Sequence, residues 1–196
     1  MPAPDAWSPQ AFNPHALSDG ELAALALGGR QAAYSALLQR HRDRVFRIAR
    51  ASCGDEEAAL DITQQSFISA FAALGRYDHA RPFAHWIARI ALNKCRDRAR
   101  RQKLRTLFSF AMPEDQGAGI PDPAVRADDA LADRQELARA MACIARLPAS
   151  QREVLVLRGV EGMSEAEVAA VLGITAKAVE TRLYRARRAL AEMLEK

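Results

Sequence analysis

The sequence lacks most of the features that mark an enzyme, a membrane protein or a secreted one. No run of about 18 apolar residues occurs, and the N-terminus has no basic segment leading into an apolar stretch. Neither a membrane span nor a secretory leader is expected, and the chain reads as cytoplasmic. Cysteine is scarce: Cys53, Cys95 and Cys143 are far apart and form no CxxC pair. His15, His41, His79 and His85 fall in no metal-ligand spacing. Three free thiols are expected, with no disulfide framework and no metal site. No carboxylate cluster stands beside a nucleophile or a basic patch, so no catalytic residue and no cofactor is expected. Aromatics make up only 6% of the chain. With few β-branched runs and abundant Ala and Leu, that composition points to an all-α fold packed through small side chains.

What the sequence does have is positive charge, unevenly spread. From Arg76 to Arg105 there are ten Lys or Arg against two Asp, a local charge of +8 in a chain whose total is +4. Read as a helix, Pro82 to Arg105 places Phe83, Ile87, Ile90 and Ala91 on one side. Trp86, Arg89, Asn93, Arg96 and Arg100 recur at three- and four-residue spacing on another. Such a face is either solvated or neutralised by a phosphate backbone. Tyr77, beside Arg76 and Arg81, and Trp86 are rings that can stack on an unpaired base; Tyr77 can equally be a lid on the core.

Residues 1–17 hold four prolines and no periodicity, and read as a mobile tail. Ser18 and Glu21 form a capping box for a short helix that ends at Gly28-Gly29. A helix over about 30–52 carries Leu37, His41, Val45 and Ile48 inward, stopped by Gly54. Asp55 caps a helix over about 56–74, whose buried stripe is expected to be Leu60, Phe67, Phe71 and Leu74, with Asp61, Gln64 and Gln65 exposed. Composition then changes sharply. From Thr106 to Glu136 seven acids face two arginines, with three prolines and two glycines, giving an acidic linker of charge −5.

Beyond the linker, a helix over about 134–147 turns Leu137, Met141 and Ile144 inward and ends at Pro148. Ser150 and Glu153, then Ser164 and Glu167, supply two more capping boxes. Gly159 and Gly162 allow a turn between the helices those boxes open. Gly173 gives a tight reversal and Thr175 caps a long last helix with Val179, Leu183, Ala186, Leu190 and Leu194 inward. A short helix, a glycine turn and a longer helix make a helix-turn-helix unit, which enters the major groove by the N-terminal end of its second helix. Thr175, Lys177, Ala178, Glu180, Thr181, Arg182 and Arg185 lie at that edge, with Arg187 and Arg188 a turn later.

These segments, in this order, resemble the extracytoplasmic-function group of the bacterial sigma-70 family. Residues 18–105 look like sigma region 2, 106–133 the linker, and 134–196 region 4. DITQQSFISAF is similar to the polymerase-docking segment, with Asp61, Gln64 and Phe67 in its pattern and Gln65 where Glu is usual. RPFAHWIARIALNKCRDRARR is similar to the −10-reading and melting segment, which implies −10 contacts for Tyr77, Trp86, Arg89, Asn93, Arg96 and Arg100. EVAAVLGITAKAVETRLYRARRAL is similar to the −35 reader, with Glu180 where many relatives carry Lys or Arg. The resemblance implies a non-enzymatic initiation factor whose partners are core RNA polymerase, promoter DNA (duplex at −35, melted at −10) and an anti-sigma factor. It would be a monomer when free or a 1:1 complex with that inhibitor. Two rivals are a stand-alone helix-turn-helix regulator, which predicts a dimer on a palindromic site, and a sigma mimic that only sequesters an inhibitor.

Overall fold

The computed structural model describes residues 13–109 and 129–195, with side chains placed up to residue 106 and again from residue 135. The body of the acidic linker and residues 1–12 of the expected tail lie outside the described residues. Eight α-helices and no strand are present among those described. They are α1 (Asp19–Leu27), α2 (Gln31–Cys53), α3 (Glu56–Ala72), α4 (Phe83–Ser109), α5 (Asp129–Arg146), α6 (Ala149–Leu155), α7 (Glu165–Leu172) and α8 (Ala176–Leu194).

Local chemistry sets most boundaries. Ser18 and Glu21 form the reciprocal capping box of α1, and Ser164 with Glu167 forms that of α7. Gly54 stops α2 at φ +73°, a left-handed conformation that only glycine adopts without strain. The Asp55 carboxylate accepts from the Ala58 N–H at 2.7 Å and starts α3. Residues 13–17, expected within the tail, are ordered: Pro14–Ala16 is a 3-10 turn capped by Asn13. Arg40 Nη2 donates to the Pro14 and Leu17 carbonyls and ties that turn to α2. α4 and α5 both run further into the acidic segment than expected, to Ser109 and back to Asp129. No proline or glycine interrupts either helix within its range.

In the first half, α1 to α4 pack around Leu22, Leu37, Val45, Ile48, Phe83, Ile87 and Leu92, all fully or almost fully buried. The α3 stripe differs from expectation. Leu60 is 57% exposed, and small residues (Ala59, Ser66, Ala70) with Ile62 and Thr63 take the interior beside Phe67. Leu137 on α5 is likewise outside, at 57% exposure, while Ile144 and Leu147 point inward.

In the second half the expected Ser150–Glu153 capping box does not form. Pro148 occupies the N-cap of α6 without a side-chain hydrogen bond, and the Glu153 carboxylate is used elsewhere. The chain then runs as a π-helical turn over Val156–Val160 that absorbs Gly159, and the reversal falls at Gly162, φ +66°. The two halves share one continuous apolar core: Ile144, Leu147 and Val154 join the cluster that holds Leu37 and Ile48. α5 lies against α2 where Gly54 has no side chain; a Cβ there would stand 2.9 Å from that of Ala145.

Candidate nucleic-acid and polymerase interfaces

α4 runs for 27 residues, about 40 Å at 1.5 Å per residue. Its first turn is anchored by an aromatic cluster, with ring centroids 5.2 Å apart for Tyr77–Phe83 and Tyr77–Trp86 and 5.4 Å for Phe83–Trp86. Tyr77 is only 6% exposed, and its hydroxyl donates to the Arg81 carbonyl at 2.6 Å. The structure therefore sets Tyr77 as a lid on the core rather than a free stacking ring. The loop from Gly75 to Arg81 is short, and the apolar ring covers Phe83 and supports Trp86. Trp86 itself is half-buried and lines a cleft of about 370 Å³ with Arg81, Pro82, His85 and Arg89.

Arg89 and Asn93 are exposed one turn further on, followed by Arg96 and Arg100 along the same face. Arg100 pairs with Asp97. Arg96 donates through Nη1 to the Asn93 amide oxygen at 3.0 Å. Its Nε and Nη2 each donate at 2.5 Å to the Glu153 carboxylate, and that hydrogen-bonded pairing pushes the Arg96 pKa further up. The expected −10 residues are thus brought together on one face, with Tyr77 behind them.

α4 also carries a second basic stripe, Lys94, Arg98, Arg101 and Arg105, which lines a cleft of about 320 Å³ with Asp61 and Gln65 of α3. The four-three-four spacing of those residues is a signal that the summed charge had obscured. On α3, Asp61, Gln64 and Gln65 are exposed as expected, but they look two ways. Asp61 and Gln65 border the basic stripe; Gln64 lines an apolar groove with Leu38, Phe46 and Leu60. Phe67 is 3% exposed and packs on Phe71, centroids 5.7 Å apart. Its place in the docking pattern is that of an internal anchor, because its ring lies on the core side of the helix.

In the second half, Gly173 at φ +66° turns α7 into α8, and the Thr175 hydroxyl accepts from the Ala178 N–H at 3.2 Å. Val179, Leu183 and Ala186 are buried, which turns Lys177, Glu180, Thr181, Arg185 and Arg188 outward. Ala178 and Arg182 are half-buried at the margin of that face. Lys177 Nζ donates to Glu180 at 2.7 Å, which raises the lysine pKa, and the Thr181 hydroxyl donates to the Lys177 carbonyl at 2.9 Å. Arg188 pairs with Glu192 at 3.4 Å. Tyr184, 68% exposed between Thr181 and Arg185, is an addition to this face that apolar periodicity had not marked. An aromatic on a polar helix face is read from its neighbours, not from its own hydropathy.

Two basic helical faces, one ending a helix-turn-helix, on a wholly helical chain define a DNA-binding protein of the promoter-recognition type. Residues 37–105 match the family described as Sigma-70 region 2, and residues 137–190 match Sigma-70, region 4. Among curated proteins the chain is 37% identical over 182 residues to RNA polymerase sigma factor CnrH of Cupriavidus metallidurans, covering 91% of this chain and 95% of that protein. It is 31% identical over 196 residues to ECF RNA polymerase sigma factor SigM of Mycobacterium tuberculosis, covering 99% and 94%. The solved structure of CnrH in complex with the cytosolic domain of CnrY superposes with a TM-score of 0.66 at 36% identity, over 90% of this chain and 97% of that one. Sigma factor RpoE bound to the anti-sigma factor NepR from Bartonella quintana, at 22% identity and TM-score 0.64, shares the fold. The chain belongs to the sigma-70 family, in its extracytoplasmic-function group, and acts as a promoter-directing subunit of RNA polymerase. No helix among the described residues is long and apolar enough to cross a membrane.

Proposed function

We propose that the three surfaces divide the work of initiation. The outward side of α3, with Asp61, Gln64, Gln65 and the apolar groove of Leu38, Phe46 and Leu60, docks the core polymerase. The exposed face of α8, with Lys177, Glu180, Thr181, Arg185 and Arg188, reads the −35 duplex, and Thr175, Ala178 and Arg182 shape its edge. Glu180 can accept from a cytosine amino group and cannot replace an arginine on guanine or phosphate. The α4 face captures the melted −10 strand, with Trp86 stacking on an unpaired base, Asn93 offering an amide, and Arg89, Arg96 and Arg100 holding phosphates. Unstacking a base costs a few kcal/mol, which stacking and phosphate contacts must offset.

The observation that carries this reading is the collection of Trp86, Arg89, Asn93, Arg96 and Arg100 on one side of a 40 Å helix whose opposite side is core as far as Cys95. A relative at 36% identity is found in complex with the cytosolic domain of CnrY, and we infer that a protein partner, acting as an anti-sigma factor, holds this chain too. The reading is tested by in vitro transcription with bacterial core polymerase over a randomised promoter library. Transcripts should start from sites sharing two elements at −35 and −10. Core polymerase that gains no initiation at any site would refute it, and would leave the sequestering mimic as the better account.

A further inference from the structure

The three cysteines take no part in the surfaces described above, and two of them meet. Cys53 is the last residue of α2, directly before the left-handed Gly54. Cys95 stands in the middle of α4, 5% exposed, turned inward between the outward-facing Asn93 and Arg96. Both belong to a small seam where α2, α3 and α4 converge. Ala49, Ala59, Ile62 and Cys95 form its buried centre, and Phe46 and Cys53 pack against it. The two side chains are hydrogen-bonded to each other, Cys95 donating and Cys53 accepting. Each is a free thiol, and Cys53 is only partly covered. One sulfur of the pair is therefore within reach of solvent while the other is not.

The two sulfurs are chemically unequal. The hydrogen bond from Cys95 holds the Cys53 pKa below the usual thiol value, and the charges of Arg98 and Arg152 act in the same direction, against burial and Asp55. The same bond and burial push the Cys95 thiol up. A thiolate is the species that attacks a peroxide, and a second thiol in contact with it is what converts the product to a disulfide. We propose that Cys53 and Cys95 form a site of oxidative modification by hydroperoxides, with Cys53 as the attacking sulfur and Cys95 as the resolving one. The Cys53 thiolate takes one oxygen of hydrogen peroxide; the O–O bond breaks, and the other oxygen leaves as hydroxide and picks up a proton to become water. Cys53 is then a sulfenic acid. The Cys95 sulfur displaces its hydroxyl, which leaves with the Cys95 proton as a second water, and a Cys53–Cys95 disulfide remains. Two thiols lose two electrons and one peroxide gains them. The bond closes a loop over residues 54–94, which contains all of α3, and ties α2, α3 and α4 into one covalent unit.

The test treats the full, reduced chain under native conditions at neutral pH with a small excess of hydrogen peroxide. Intact mass, thiol count after denaturation and disulfide mapping of peptides are the readouts. The mass should fall by two hydrogens, the thiols should fall from three to one, and the bridged peptide should pair Cys53 with Cys95. Dithiothreitol should reverse all three changes. In Cys95→Ser, dimedone, which traps sulfenic acids, should label Cys53. In Cys53→Ser, thiol loss should slow by about tenfold or more, because Cys95 is buried and held protonated. Circular dichroism checks that both variants are folded, and the mapping of the unmodified chain decides the matter where one is not. A chain that keeps all three thiols, or a bridge to Cys143 or between two chains, would overturn the assignment. So would dimedone on Cys95 or Cys143 ahead of Cys53. Sulfinic acid on Cys53 of the unmodified chain, with no bridge, would overturn the resolving role of Cys95.

Discussion

Replacing Arg89 and Arg100 together by alanine probes the α4 face and leaves the Arg96–Glu153 pair in place. Arg89 is exposed on that face, and Arg100 is 72% exposed with Asp97 as its ion-pair partner. An exposed pair of that kind is worth at most about 1 kcal/mol, so the double variant should keep its fold and thermal stability. If each arginine neutralises one phosphate of the melted strand, losing both should lower the slope of log affinity against log salt by about 1.4, at roughly 0.7 per single-strand contact. From 50 to 200 mM salt, the affinity gap between parent and variant should then close by about sevenfold. The assay is equilibrium binding of holoenzyme to a forked −10 promoter at several salt concentrations, with a −35 duplex competitor as control. A variant that binds more weakly by the same factor at every salt concentration would refute phosphate contact by these residues. The change would then have to act through the shape of α4.

On α3, exposure separates docking from anchoring. Asp61→Ala with Gln64→Ala should weaken binding to core polymerase at least tenfold and leave the melting temperature unchanged, whereas Phe67→Ala should lower stability by about 3–5 kcal/mol through the cavity left in the core. Chemical denaturation beside a core-polymerase pull-down distinguishes them; equal stability loss in both variants would refute the division. At the α1–α2 joint, burial acts to raise the Asp19 pKa, but hydrogen bonds and charge from His41 and Arg40 outweigh it and hold it below its ordinary 3.8. A depressed carboxylate stabilises the fold fully above about pH 4, and that contribution is lost as pH falls through the lower folded value. Between pH 5 and pH 2.5 the melting temperature of the parent should therefore fall faster than that of Asp19→Asn. Parallel curves over that range would show that the Asp19 carboxylate adds nothing of this kind.

Helix existence was legible wherever a cap or a stop was encoded locally. Ser18, Gly54, Asp55, Ser164, Gly173 and Thr175 each act on their own few residues, and each does in the structure what its chemistry dictates. Periodicity failed where two surfaces compete for one helix. Leu60 satisfies the apolar spacing of α3 but faces outward, because Ala59, Ser66 and Ala70 let neighbouring helices approach on a different side. Leu60 then becomes part of the groove beside Gln64, so the misplaced core residue is a candidate interface residue. Tyr77 went the other way, from candidate interface to core lid, since nothing in the sequence around it shows that Phe83 lies beneath. Glu153 is the sharpest case. The Ser150 to Glu153 spacing is that of a capping box, yet the carboxylate bonds a residue 57 positions away. A short-range rule cannot see a partner brought in by tertiary packing, and here that partner is Arg96, on the candidate DNA-facing side of α4. The order of the surfaces along the chain is local information, while their availability to DNA depends on contacts between the halves. For that reason the Arg96–Glu153 pair, and not the helix-turn-helix, is the feature of the α4 face that no local motif could have supplied.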